Sequence, residues 1–94
     1  METIINGKKY NTATAQLVAS DRYWDGHNWE RHGRNQYLYR TEKGNFFIHN
    51  TTMWQGERDT IEAISKDEAK EQYEALPEHE MEYAEAFGVE PEEA

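Results

Sequence analysis

The chain has no cysteine. That absence removes a disulfide framework, thiolate zinc sites and a cysteine nucleophile together, leaving histidine and carboxylate as the only strong metal ligands. Long apolar runs are missing as well. Nothing approaches the roughly 20 residues of a membrane span, and the opening Met-Glu-Thr-Ile-Ile lacks the basic start and long apolar stretch of a signal peptide. A cytoplasmic location with no membrane contact is expected. Catalytic signatures are also lacking: there is no Gly-x-Ser-x-Gly elbow, phosphate loop or glycine-rich nucleotide fingerprint. With 94 residues, a domain buries only about 60–65% of the surface its unfolded chain exposes, too little to enclose a large active site. A non-enzymatic protein without a cofactor is the expectation.

What the chain does have is charge, unevenly placed. Its net charge is −9. Residues 1–56 hold 7 Lys/Arg against 5 Asp/Glu, whereas residues 57–94 hold 3 against 14. A field of that shape opposes direct DNA binding through the C-terminal part and favours partners with basic surfaces or plain solubility.

Residues 36–54 are the centre of the chain. Two runs rich in aromatic and β-branched residues flank Glu42-Lys43-Gly44, a short polar turn with glycine where left-handed backbone is needed. If Thr41 faces Asn45, Tyr39 pairs with Phe47, Leu38 with Ile48 and Tyr37 with His49. Leu38, Phe46 and Ile48 then share one face, and Tyr37, Tyr39 and Phe47 the other. Both faces are apolar, so both need cover.

Around this hairpin, Asn6-Gly7 suggests a type I′ turn and a small initial hairpin. Residues 11–19 read as a strand, with a helix capped by Asn11 as the alternative. Residues 20–35 are irregular and carry Tyr23, Trp24 and Trp29 beside Arg22, Arg31, Arg34, His27 and His32. Residues 59–64 read as a strand. Ser65 and Glu68 form a capping box, with Ile64 and Ala69 placed as a hydrophobic staple, and Ala69, Tyr73 and Leu76 form an apolar stripe. Residues 78–87 predict a second helix, with Met81, Ala84 and Phe87 on one side and Gly88 as its stop. The fold class expected is α+β: an antiparallel sheet of three to five strands with two C-terminal helices on one face, a single domain over 1–89 and a frayed acidic tail over 90–94.

Tyr10-Asn11-Thr12, Thr14 to Ala19, Leu38 to Thr41, Gly44 to Phe47, Ile64-Ser65 and Glu68-Ala69 together resemble a family of short, largely uncharacterised proteins of bacteria and their mobile elements. The resemblance covers most of the chain and departs from the commoner members at residues 24–29. It implies a fold and a genomic setting and carries over no functional residue.

Several chemistries compete for the remaining residues. His27 and His32, with Asp25, Glu30 and His49, are candidates for a nitrogen- and oxygen-ligated metal or small-ligand module, although their spacing matches no standard zinc motif. His79-Glu80 begins a His-Glu-x-x-His pattern, which Tyr83 breaks. Tyr23, Trp24 and Trp29 with the arginines could stack on bases, but filling the sheet's second face is the commoner use of such residues. The acidic half fits a phosphate mimic, in which Glu71, Glu74, Glu78 and Glu82 along two helices could occupy a basic nucleic-acid channel, although a solvated helix surface is the commoner use of such residues. Small size and segregated charge resemble anti-restriction and anti-CRISPR inhibitors in type, without a shared motif. The expected binding residues are therefore Trp24, Trp29, Arg31, Arg34 and Trp54 as an aromatic patch rimmed by arginine, and Glu71, Glu74, Glu78 and Glu82 as the acidic face. The expected partner is a protein with a basic or nucleic-acid-binding surface, and a second copy could cover one face of the hairpin.

Overall fold

Asn6 and Gly7 adopt φ of 51° and 76°, the paired left-handed conformation of the tight hairpin turn whose twist matches the flanking strands. They join β1 (Glu2–Ile5) to β2 (Lys8–Asn11) in a two-stranded antiparallel sheet. The computed structural model describes residues 1–21 and 34–94. After β2 the chain does not run on as a strand. The Asn11 side chain accepts a hydrogen bond from the Ala13 N–H at 2.9 Å, and the Asn11 carbonyl accepts from Ala15. This Asx-type turn diverts the backbone from a ladder. The strand expected over 11–19 is thus broken at residues 12–15 and resumes as β3 (Gln16–Ser20).

A five-stranded antiparallel sheet holds β3, β4 (Arg34–Arg40), β5 (Phe46–Thr52), β6 (Thr60–Ile64) and the two-residue β7 (Glu78–His79), in the order β6-β5-β4-β3-β7. The central pairing has the register predicted: Tyr39 faces Phe47, Leu38 faces Ile48 and Tyr37 faces His49. Gly44 turns the chain with φ 84°, its N–H donating to the Thr41 carbonyl at 2.9 Å, and the Thr41 N–H donates to the Asn45 carbonyl at 2.8 Å. Leu38, Phe46 and Ile48 join Val18 and Ala19 in the core on one face.

That face is covered by α1 (Lys66–Ala75) and α2 (Tyr83–Phe87). Both halves of the Ser65/Glu68 capping box form: Ser65 Oγ accepts from the Glu68 N–H at 3.1 Å, and the Glu68 carboxylate accepts from the Ser65 N–H at 3.2 Å. Ser65→Ala should lower unfolding free energy by about 1 kcal/mol. A urea midpoint unchanged by this substitution would refute the cap's contribution. Ala69, Tyr73 and Leu76 are buried as the stripe predicted, with Ile64 packed beside them.

The helix expected over 78–87 is mostly absent. Ser20 and Ala19 pair with Glu78 and His79, and the Val18 carbonyl takes the Glu80 N–H at 2.8 Å. This recruits the segment as an edge strand and leaves only five residues for α2. Gly88 ends α2 at φ 77°, as predicted, and Ala86 is buried there where Ala84 was expected. Arg40 ties α2 down: its guanidinium donates to the Glu85 and Ala86 carbonyls and, at 2.8 Å, to Gln16 Oε1.

The first hairpin covers part of the other face. Tyr10 meets Phe47 in a T-shaped contact, centroids 5.5 Å apart, while Tyr39 stacks on the same ring at 5.1 Å. Both Tyr10 and Phe47 are buried. No helix among the described residues is long and apolar enough to cross a membrane.

Candidate interaction surfaces

The outward side of α1 is acidic for a geometric reason. With Ala69, Tyr73 and Leu76 turned to the sheet, helical periodicity places Asp67, Glu71 and Glu74 on the opposite stripe, and all three are exposed. Glu82, ahead of α2, is exposed, while Glu78 in β7 is half-buried. The one ion pair between described residues joins Arg34 and Glu57, so none of these five carboxylates forms an ion pair with a described cation. Asp67 suits its place in the first turn, where the helix dipole welcomes an anion. Glu74 does not: it lies in the last turn of α1, which has no basic residue, and a carboxylate near a helix C-terminus is unfavourable by roughly 0.3–1 kcal/mol. Glu71 stands one turn from Asp67, and like charges at i, i+4 cost about 0.2–0.5 kcal/mol.

The second surface lies where β4 begins and β5 ends, and it is differently arranged from the sequence expectation. Arg34 and Trp54 share this end of the sheet, but Arg34 is already engaged. Its Nε donates to Glu57 Oε1 at 3.1 Å and its Nη2 to the second carboxylate oxygen, which raises the guanidinium's pKa and lowers that of Glu57, chiefly through these hydrogen bonds. Thr52 Oγ1 also donates to Glu57, at 2.5 Å, and accepts from the Trp54 N–H at 3.1 Å, while Asp59 accepts from the Thr52 N–H. The result is a braced turn that leaves Trp54 half-exposed and Met53 open to solvent. Trp24, Trp29, Arg31, His27 and His32 lie outside the described residues.

At the end of β3, Asp21 is buried and accepts from the Gln36 N–H at 2.9 Å and from Asn35 Nδ2 at 3.1 Å. It anchors the end of β3 to β4. His49 sits on the second face near the rings of Tyr37 and Tyr39, and its Nε2 is buried without a hydrogen-bond partner among the described residues. Burial lowers its pKa below the ordinary 6.5, against a smaller opposing pull from Asp59. A depressed histidine pKa means the unfolded chain takes up a proton first as pH falls. Its contribution to stability is therefore complete above the ordinary value and is lost progressively as pH falls from there through the lowered folded value. The melting temperature should fall as pH drops below the ordinary value, and His49→Phe should flatten part of that fall. An identical pH slope in the variant would sink this assignment. Among the described residues no three His, Asp or Glu side chains form a group able to hold a metal ion.

A third feature escaped the sequence reading. His79 stacks on Tyr73 with centroids 3.8 Å apart and 19° between planes, and its Nε2 lies 2.7 Å from the Tyr73 carbonyl. Tyr73 donates its hydroxyl to the Met81 carbonyl at 2.8 Å and meets Tyr83 edge-on at 5.7 Å. Burial, then the charge of Glu82, raises the Tyr73 pKa. The alternation of Tyr73, His79 and Tyr83 with glutamates is the signal the sequence carries for this cluster, and a helical reading of residues 78–87 conceals it.

The chain matches no protein-family model, no curated protein and no solved structure.

Proposed function

We propose that this protein is a non-enzymatic inhibitor whose acidic helical face docks on a basic, nucleic-acid-binding surface of a protein partner, in concrete terms a host defence effector of the CRISPR type, and occludes it. The observation that carries this reading is the outward stripe of Asp67, Glu71 and Glu74. It makes no ion pair among the described residues and includes Glu71, one turn from the like-charged Asp67, and Glu74, set against the helix dipole. A stripe that costs the fold stability is explained by a use outside the fold. Glu82 and Glu78 extend the same sign, and electrostatic attraction would speed docking and make it sensitive to salt. The braced Trp54 turn supplies an apolar anchor of the kind that dominates binding energy once buried in a partner.

Capture from a nuclease-treated bacterial lysate, followed by a salt gradient, tests the proposal. Wild type should retain a nucleic-acid-binding protein that a variant carrying Glu71→Lys, Glu74→Lys and Glu82→Lys does not. The captured protein should also lose nucleic-acid binding when wild type is added back. Retention by both proteins, or undiminished nucleic-acid binding, would refute occlusion by this face.

A further inference from the structure

A groove of about 770 Å³ opens beside the C-terminal end of α1. Its aromatic lining is Tyr73, His79 and Tyr83, and its carboxylates are Glu74, Glu90 and Glu92. Lys70 is the one cation among the described residues lining it, so the groove keeps a negative balance of two charges. One ring face of His79 lies against Tyr73. Because the residue is exposed, its other face is turned away from the core. The Tyr83 ring is set nearly perpendicular to Tyr73, at 79°, giving the groove two aromatic surfaces in different planes. Flat aromatic faces ringed by carboxylates attract organic cations through the ring quadrupole and through charge. Among biological cations the guanidinium is planar, weakly hydrated and suited to stacking on a ring while its edge donates to carboxylates.

We infer that this groove is an arginine-binding subsite, which receives a guanidinium presented by the basic surface of a protein partner. The inference rests on the proposed function only for the source of the arginine, since the groove itself can be tested without a partner. It gives the acidic face a specific recognition element. Salt-dependent attraction brings the surfaces together, and the groove reads one side chain by shape. Lysine, a compact and strongly hydrated ammonium, would fill it less well.

The test is a titration of the full chain with N-acetyl-arginine methylamide, followed by the ring signals of His79 and Tyr83 in NMR spectra. N-acetyl-citrulline methylamide serves as the uncharged isostere. Saturable shifts with the arginine compound, absent with the citrulline one, are expected at millimolar concentration. Glu74→Gln, Glu90→Gln and Glu92→Gln together should weaken binding roughly tenfold; these side chains are exposed, so folding is not at stake. Equal shifts from citrulline, or no saturation, would overturn the inference. Failure here with capture still abolished by reversal at Glu71 and Glu74 leaves the proposed function standing. Guanidinium binding with capture unaffected by those reversals supports the subsite and removes the proposed function.

Discussion

Phe47→Ala is expected to lower the unfolding free energy by about 3–5 kcal/mol, the range for deleting a fully buried aromatic side chain. Phe47 is 0% exposed and lies where the two sheets meet, in a T-shaped contact with Tyr10 and stacked on Tyr39. Removing the ring leaves a cavity in the sheet and takes away the surface on which the first hairpin rests. For a domain of this size each kcal/mol moves the melting temperature by about 4–8 °C, so a fall of roughly 15–30 °C should follow. Tyr10→Ala should cost less, because it frees the hairpin while leaving Phe47 against Tyr39. Urea denaturation of the three proteins measures both effects. A loss below about 1 kcal/mol for Phe47→Ala would mean that the second face is not a packed layer.

The second large effect is a separation of stability from binding. Glu71→Lys with Glu74→Lys should abolish partner capture, lowering affinity about a hundredfold or more, since like charges set against each other in an interface cost several kcal/mol. The same pair should leave the fold intact, with stability changed by no more than about 0.5 kcal/mol. The substitution at position 71 turns a repulsion with Asp67, one turn away, into an attraction, and that at position 74 puts a cation where the helix dipole favours one, while setting it one turn from Lys70 offsets part of the gain. Thermal melts beside capture decide the matter. Loss of both properties together would assign these glutamates a structural role. Loss of binding with an unchanged melting temperature is the signature of residues kept for a partner.

The parts of this fold that the sequence discloses are those governed by short-range rules. Gly44 fixes the turn, and the two-residue period of a strand then fixes which of Tyr37, Leu38 and Tyr39 meets which residue of β5. Ser65 and Glu68 likewise announce the start of α1, because a capping box needs only three residues of spacing. The acidic stripe follows from the position of Ala69, Tyr73 and Leu76. What stays hidden depends on residues far apart in the chain. His79 becomes part of a strand because β3, about sixty residues earlier, offers a free edge and the Val18 carbonyl takes the Glu80 N–H. Arg34 reads as a free cation beside Arg31, yet Glu57 holds it from 23 residues away. Asn11 ends a strand through its own side chain, which competes with the ladder for the Ala13 N–H, and simple alternation of apolar residues does not register that competition.

The two outer strands of the five-stranded sheet carry a consequence for how the protein behaves in concentrated solution. A sheet edge is a template on which other chains can grow fibres. Here β7 is two residues long, too short to seed such growth, and β6 places the exposed Glu62 at its midpoint. An antiparallel copy centred on Glu62 would set one carboxylate against another. The molecule is thereby guarded against polymerising through the sheet that builds it.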